Sequence, residues 1–145
     1  MKGIIVYDSW TGNTKKIAEA IAAETRFDIV GIGGVSTDLR HYDILVLGSP
    51  NIRTNPSGEI LKFMDKALLP DRVALFMTFG MPFWGWVSSL LCLNKMGKLL
   101  SKKGACCQAK FMCPGYHVKF KTYKERPGDK EINRARQFAR KLNSI

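Results

Sequence analysis

Short apolar runs alternate with amphipathic segments along this chain, and this alternation constrains its fold more than any other feature. The apolar runs predict five strands, at residues 3–7, 27–32, 43–48, 72–79 and 105–113. Runs of this length are typical of strands buried on both faces. Helical periodicity predicts helices at residues 14–24, from 55 to just before Pro70, at 87–103 and from 129 onward. This order of elements predicts a single α/β domain over residues 1–145, with a parallel sheet covered by helices on both faces.

Capping residues locate the ends of three of these helices. Asn55 is predicted to cap the second helix, with Pro56 in its first turn. Gly104 is predicted to end the third helix, and Asp129 to cap the last. The second helix is expected to bury Ile60, Phe63, Met64, Ala67 and Leu68. Residues 36–42 fit either one helical turn or a loop.

The loops after strands one, three and four are the places where a ligand is expected. In open parallel sheets, ligands bind beyond the carboxyl ends of the strands, at the point where the strand order reverses. The three loops are residues 8–14, 49–58 and 80–87.

The first loop is rich in hydrogen-bond donors and leads into a helix N-terminus. Three hydroxyls and one amide stand within six positions, on Ser9, Thr11, Thr14 and Asn13. Backbone N–H groups at a helix N-terminus favour an anion. The loop lacks the lysine of a nucleotide-binding P-loop, and the chain lacks the Gly-x-Gly-x-x-Gly fingerprint of dinucleotide sites. We therefore expect a phosphate monoester that is held and not transferred; the alternative is an ordinary strand-to-helix turn rich in capping residues.

The loop sequence Ser-x-Thr-Gly-Asn-Thr resembles the phosphate loop of the flavodoxin family. The last part of the chain, Arg-Pro-Gly-Asp through Arg-Gln-Phe-Ala-Arg-Lys-Leu, is also similar to the final helix of short flavodoxins. The resemblance implies a three-layer sandwich with strand order 2-1-3-4-5. It also implies FMN as a cofactor that is not covalently attached. The phosphate would then lie on the segment Ser9, Trp10, Thr11, Gly12, Asn13 and Thr14.

The second loop departs from the pattern of the family it resembles. Flavodoxins often place an aromatic residue here to cover the inner face of the flavin, and this chain has Ile52 at that position. An aliphatic side chain keeps the contact without ring stacking; the alternative is that Ile52 packs into the core. By the resemblance, Pro50, Asn51 and Arg53 also belong to the cofactor site.

The third loop contains three large aromatic residues, Phe83, Trp84 and Trp86. Many short flavodoxins have a tyrosine six residues after the glycine that ends strand four. Trp86 stands six residues after Gly80, so the resemblance assigns the outer face of the flavin to Trp86, with Trp84 as the second choice. The alternative is that two of the three aromatics pack against the following helix. The remaining predicted contacts at this end are Thr78, Phe79, Gly80 and Met81.

The net positive charge of the chain comes entirely from its last third. Lys and Arg number 23 and Asp and Glu number 12, a net charge of +11. Residues 95–145 hold 14 of the basic and 3 of the acidic side chains, which accounts for the whole excess. Such a field attracts acidic surfaces, so we expect a redox partner with an acidic docking surface. Nucleic acid is not expected, because no base-reading element accompanies the charge. A merely solvated basic face is the alternative.

Cysteine usage and the apolar run at 73–94 bear on location. The four cysteines form no C-x-x-C pair, and Met1 and Lys2 lead directly into a strand without a secretory signal. We therefore expect free thiols in the cytoplasm. The run is long enough to span a bilayer, but Gly80, Pro82 and Gly85 interrupt it. It is better explained as a strand, a loop and a helix than as a transmembrane segment, which leaves peripheral membrane contact open.

No catalytic constellation accompanies these loops. His41 and His117 have no acidic residue nearby in the sequence, and no carboxylate pair is suggested. This favours a non-enzymatic electron carrier of the flavodoxin type. The alternative is an FMN-dependent oxidoreductase acting on a quinone or porphyrinogen at a membrane surface, although flavodoxin-like enzymes of that kind carry a long extra loop. A third possibility is a flavodoxin-like scaffold without flavin.

Overall fold

Five parallel strands form one sheet in the computed structural model, which describes all residues 1–145. The strands are β1 Gly3–Tyr7, β2 Asp28–Gly31, β3 Ile44–Pro50, β4 Arg72–Phe79 and β5 Cys106–Pro114. Their order in the sheet is β2-β1-β3-β4-β5, and every neighbouring pair is parallel. The predicted flavodoxin-like topology, including the strand order, is confirmed.

Four α-helices cover the two faces of the sheet. They are α1 Asn13–Thr25, α2 Gly58–Lys66, α3 Trp84–Lys102 and α4 Asp129–Asn143, and a short 3₁₀ helix spans Ile32–Gly34. Residues 36–42 form no helix, which resolves the ambiguity of that segment in favour of a loop.

Alternate side chains of the central strands supply two separate cores. Leu45 and Leu47 of β3 point to one face and pack with residues of α2 and α3, such as Met64 and Leu93. The intervening Ile44 and Val46 point to the other face and pack with residues of α1 and α4. Successive residues of a strand point to opposite faces, so a continuous apolar run is what a sheet covered on both faces requires.

The second helix begins later and ends earlier than predicted. Asn55 belongs to a tight turn, in which its N–H donates to the carbonyl of Ile52 and its carbonyl accepts from the N–H of Ile52. Ser57 is the N-cap instead, and its hydroxyl oxygen accepts from the N–H of Ile60. Because the helix ends at Lys66, the predicted buried residue Leu68 lies outside it and is exposed.

The ends of the last two helices are close to the prediction. Gly104 follows α3 with a φ of 81°, the left-handed conformation that suits a glycine at a helix C-terminus. Asp129 is the first residue of α4 rather than its cap, which is Gly128. The carboxylate of Glu131 accepts from the N–H of Gly128 at 2.9 Å and closes the first turn.

The apolar run at 73–94 divides into β4, a loop and the start of α3, as predicted. No helix of the protein is both long enough and apolar enough to cross a membrane.

All four cysteines are free thiols. Burial raises the pKa of the Cys113 thiol to about 12 and that of Cys92 to about 11, so both are neutral at physiological pH. No three His, Cys, Asp or Glu side chains cluster in a way that could hold a metal ion.

Candidate functional site

Two adjoining cavities open at the carboxyl edge of the sheet, where four loops meet. The first cavity has a volume of about 480 Å³ and is lined by Trp10, Thr11, Asn13, Thr14, Pro50, Asn51, Ile52, Arg53, Thr78, Phe79, Gly80, Tyr116, His117, Val118 and Lys119. The second has a volume of about 510 Å³ and is lined by Asn51, Arg53, Thr54, Phe79, Gly80, Met81, Trp84, Gly85, Ser88, His117, Lys119 and Phe120. Six residues line both cavities, so the two form one groove, which we call the edge groove.

The first loop is held in shape by Ser9 and Gly12. The hydroxyl oxygen of Ser9 accepts from the N–H groups of Gly12 and Lys15, each at 3.2 Å, and its own O–H remains able to donate. Gly12 has a φ of 90°, which disfavours any residue with a Cβ, although a Cβ there would meet no atom within 4 Å. Glycine is therefore required at position 12 by backbone conformation and not by crowding. Neither Ser9 nor Gly12 lines the cavities.

Two other residues of the first loop tie it to neighbouring segments. The hydroxyls of Thr14 and Thr78 share a buried hydrogen bond of 2.9 Å, which links α1 to the end of β4. The Asn13 side-chain amide donates to the carbonyl of Tyr116 at 2.9 Å. Both residues line the first cavity, so each has a structural contact in addition to the predicted place at the ligand. The N–H groups at the start of α1 have no partner within the helix, and such groups favour an anion.

The second loop is anchored by Asn51. Its side-chain amide donates to the hydroxyls of Ser88 and Ser89 at 2.8 and 2.9 Å, and its side-chain oxygen accepts from the N–H of Thr54 at 2.9 Å. Arg53 and Thr54 have φ angles of 51° and 67° at the tip of the tight turn. This turn presents Arg53 to both cavities. Ile52 lines the first cavity and is half-buried, so it contacts the groove rather than the core.

The third loop departs from the prediction, because Trp86 does not reach the groove. Its ring lies 4.7 Å from that of Phe79, edge to face, and the Arg134 guanidinium lies over it at 5.6 Å. Helix α3 begins at Trp84, and a helix rotates by about 100° per residue, so Trp84 and Trp86 point to different sides. Trp84 lines the second cavity together with Met81. The aromatic of this segment at the groove is therefore Trp84.

A fourth loop, not predicted from the sequence, completes the groove. It follows β5 and contributes Tyr116, His117, Val118, Lys119 and Phe120 to the cavity walls. The Thr122 hydroxyl donates to the carbonyl of Gly80, and a Cβ on Gly80 would lie 2.6 Å from the Cβ of His117. The third and fourth loops thus pack directly on each other. The rule that locates ligands at the carboxyl ends of parallel strands could have identified this loop too, since β5 is the neighbour of β4.

The charges at the groove are all positive. Neither cavity is lined by an Asp or Glu, whereas Arg53 and Lys119 line both. One lining residue contacts a carboxylate outside the cavity walls, since the indole N–H of Trp10 donates to Asp8 at 3.3 Å. The groove therefore combines neutral donors at one end with apolar walls and two cations at the other, which suits a ligand with an anionic group and a large apolar part.

A parallel sheet of order 2-1-3-4-5 with a hydroxyl-rich loop after β1 defines the flavodoxin-like class of α/β proteins. The chain itself belongs to the flavodoxin-domain family, whose model matches residues 4–140. This family assignment implies a flavin-binding redox protein.

Individual relatives agree with this assignment. An uncharacterized protein of Methanocaldococcus jannaschii is 35% identical over 151 aligned positions, which cover 98% of each chain. Oxidised flavodoxin 1 from Bacillus cereus is similar in structure with a TM-score of 0.74 and 20% identity, over 99% of this chain and 98% of that one. A flavoprotein from Lactobacillus acidophilus, solved in complex with FMN, is similar with a TM-score of 0.60 and 20% identity, over 77% of this chain and 92% of that one.

Proposed function

We propose that this protein binds FMN without covalent attachment and carries electrons between redox partners. The observation that carries the proposal is the direct continuity of the hydroxyl-rich first loop with an apolar groove that has no carboxylate in its walls. One end suits a phosphate monoester and the other a flat apolar ring system. FMN has both parts, with a single terminal phosphate.

The donor set fits the phosphate of FMN. Thr11 and Thr14 supply hydroxyls from the cavity wall, Ser9 supplies a third from the same loop, and the start of α1 supplies backbone N–H groups. Neutral donors of this kind hold a phosphate without promoting its transfer. FAD and NAD carry a pyrophosphate, for which the chain has no glycine-rich fingerprint.

Residues of the other three loops would hold the ring system. Ile52 supplies an aliphatic contact, and Trp84 supplies an aromatic surface that would stack on one face. Bound FMN supplies one- and two-electron chemistry, and the protein positions the cofactor and sets its electrostatic surroundings. His117 uses its Nδ1 to accept from the N–H of Phe120 at 3.2 Å, so this histidine supports the fourth loop. The structural role of this histidine favours an electron carrier over an enzyme with its own substrate.

The charge around the groove supports an acidic partner. Lys119 and Arg53 are exposed at the edge groove, and the net charge of the chain is +11. Opposite charges steer encounter and raise association rates. We therefore propose a redox partner that presents an acidic docking surface, and we expect electron transfer with it to slow steeply as salt is raised. A rate that stays constant between low and physiological ionic strength would contradict electrostatic docking.

The cofactor proposal is tested by titrating the purified full chain with FMN, riboflavin and FAD. We expect FMN to bind much more tightly than riboflavin, because riboflavin lacks the phosphate that the first loop would hold. Quenching of flavin fluorescence measures both affinities. Equal affinities for FMN and riboflavin would refute the phosphate site.

A further inference from the structure

Large apolar side chains are exposed together beside the edge groove. Eight of the thirteen exposed large hydrophobic residues of the protein belong to two short segments: Met81, Phe83, Trp84, Val87, Leu90 and Leu91 in the first, and Val118 and Phe120 in the second. We call these eight residues the apolar edge. Single exposed apolar residues are ordinary on a protein surface, but a cluster of this size marks an interaction site.

The apolar edge is continuous in space. Met81, Trp84 and Phe120 line the same cavity, which joins the two segments. Val87 and Leu91 follow Trp84 by three and seven positions on α3, so they extend the same face of that helix. The opposite face of α3 is buried against the sheet through Cys92, Leu93, Met96 and Leu100. In the first two turns of α3 the buried side consists of the small residues Gly85, Ser88 and Ser89, so most of the large apolar side chains of these turns lie on the uncovered side.

Phe83 is the most exposed member of the apolar edge. Its side chain is 90% exposed and its φ is 56°, a conformation that bulky residues avoid. Phe83 caps the start of α3, where its carbonyl accepts from the N–H of Trp86, while its ring is left in solvent. Strained backbone that the surrounding structure maintains is common at functional sites.

Positive charge dominates the surroundings of the apolar edge, and the one acidic residue of the fourth loop is Glu125. Residues 72–124 contain nine Lys and Arg side chains and no Asp or Glu. Lys119, Lys121 and Lys124 lie in the fourth loop and are exposed, and Lys95 and Lys98 follow Leu91 on α3. Lys95 contacts only the side-chain oxygen of Asn55, at 3.4 Å. These cations have no carboxylate within the segment to neutralise them, so they are available to an external anionic surface.

We propose that the apolar edge docks onto an anionic membrane surface, with Phe83 and its apolar neighbours entering the lipid interface and the surrounding lysines lying at the headgroups. Aromatic and aliphatic residues that protrude between lysines are the combination that peripheral proteins use at such interfaces. Positive charge around an exposed apolar cluster matches a bilayer surface, which is negative over its whole area.

The proposed membrane contact is separate from electron transfer and does not depend on it. The acidic partner protein rests on the net charge and on Arg53 and Lys119 at the groove, whereas the membrane contact rests first on the exposed apolar cluster. The contact would place the edge groove next to the lipid, because Trp84 and Phe120 line the groove and also belong to the apolar edge.

The test is sedimentation of the full chain, loaded with FMN, with two kinds of vesicle. One consists of phosphatidylcholine alone and the other of equal parts phosphatidylcholine and phosphatidylglycerol. We expect binding to the anionic vesicles at low salt, with little binding to the neutral ones. Raising the salt should weaken binding, because counterions screen the headgroup contacts.

Two pairs of variants separate the apolar and the charged contributions. Phe83→Ser combined with Leu90→Ser removes apolar residues that do not line the groove, and we expect at least a roughly tenfold loss of vesicle affinity. The matched control is Ile29→Ser, an exposed apolar residue of β2 at the far edge of the sheet. Lys121→Gln with Lys124→Gln should also weaken binding, whereas Lys62→Gln with Lys66→Gln on α2 should not. Circular dichroism establishes that each variant is folded.

Three results would overturn the proposal. They are an absence of binding to anionic vesicles at low salt, equal binding to both kinds of vesicle, and equal losses in the Phe83/Leu90 variant and the Ile29 control. An absence of binding to anionic vesicles would indicate that the apolar edge contacts a protein instead. FMN affinity of the same samples tests the proposed cofactor separately, so failure of one proposal is distinguishable from failure of the other.

Discussion

The two ends of the edge groove are built on different principles. The first loop is short and carries a single charge, on Asp8, and it is held by hydrogen bonds to the Ser9 hydroxyl, by the Thr14–Thr78 hydrogen bond and by the left-handed conformation of Gly12. The other end is lined by exposed aromatic and cationic side chains, including Trp84, Arg53 and Lys119. Under the proposed function, the first end would recognise the phosphate of FMN, and the more exposed second end would set the redox properties and contact the partners.

The largest effect on FMN affinity is expected from a substitution of Gly12 in the first loop. Gly12→Val places a β-branched residue at a φ of 90°, which adds about 1–3 kcal/mol of backbone strain and displaces the N–H groups around it. We expect FMN affinity to fall on the order of 100-fold, measured by fluorescence titration.

Gly33→Val is the matched control for that variant. Gly33, in the 3₁₀ helix, also has open space around its Cβ position, but its φ is not in the left-handed range and it does not line the groove. Similar losses of affinity in both variants would show that Gly12 has no special place in the site.

The next largest effect concerns the two tryptophans at the other end. Trp84→Ala should weaken FMN binding by about 1–3 kcal/mol, because it removes an aromatic surface from the groove. Trp86→Ala should instead lower the Tm, because Trp86 packs on Phe79 and under Arg134. Titration and thermal unfolding measure the two quantities. A greater loss of FMN affinity in Trp86→Ala than in Trp84→Ala would indicate that Trp86 stacks on the flavin, as the sequence predicted.

The buried hydrogen bond between Thr14 and Thr78 is expected to affect the stability of the protein rather than its affinity for FMN. Thr14→Val leaves the Thr78 hydroxyl without its partner, which should reduce the free energy of unfolding by about 1–3 kcal/mol in the protein without FMN. The double variant Thr14→Val with Thr78→Val should recover part of that loss, because neither hydroxyl is then left unpaired. Denaturant unfolding measures both. Additive losses would mean that the two hydroxyls do not act as a pair.

The smallest effect is electrostatic. A cation near the ring stabilises the negative charge that FMN gains on full reduction, so Arg53→Glu should lower the potential of the second one-electron reduction. At an effective dielectric of about 20, a unit charge some 6–8 Å away contributes about 2–3 kcal/mol, which solvent screening reduces to about 1 kcal/mol. A spectroelectrochemical titration measures the shift. Lys119→Glu should act in the same direction, and Lys62→Glu on α2 serves as the control. No shift, or an upward shift, in Arg53→Glu would mean that the guanidinium points away from the flavin.

Local patterns were sufficient for most of the fold. Each strand needs only its own run of apolar residues to be recognised, and the same holds for the amphipathic face of α4. The helix boundaries were less predictable. Asn55 and Pro56 look like a helix start, but two backbone hydrogen bonds between Ile52 and Asn55 commit Asn55 to a turn.

The candidate site was predicted least well where it depends on rotation or on distant contacts. Counting six residues from Gly80 selects Trp86, but the choice between Trp84 and Trp86 depends on where α3 begins, since each residue turns the helix by about 100°. Asn13 was predicted as a ligand donor, and its amide also contacts the carbonyl of Tyr116, 103 residues away. A contact between residues so far apart in the chain cannot be predicted from a pattern of neighbouring residues.

The sequence by itself therefore determined the strand–helix alternation, the hydroxyl-rich loop after β1 and the one-sided charge, because each of these is a property of neighbouring residues. Only the tertiary structure decided that the loop after β5 closes the groove, that Trp84 and not Trp86 faces it, and that apolar residues of two segments meet in one exposed edge. The physical reason is that side-chain periodicity is set within a few residues, whereas the walls of a groove are set by packing between segments that are distant in the chain.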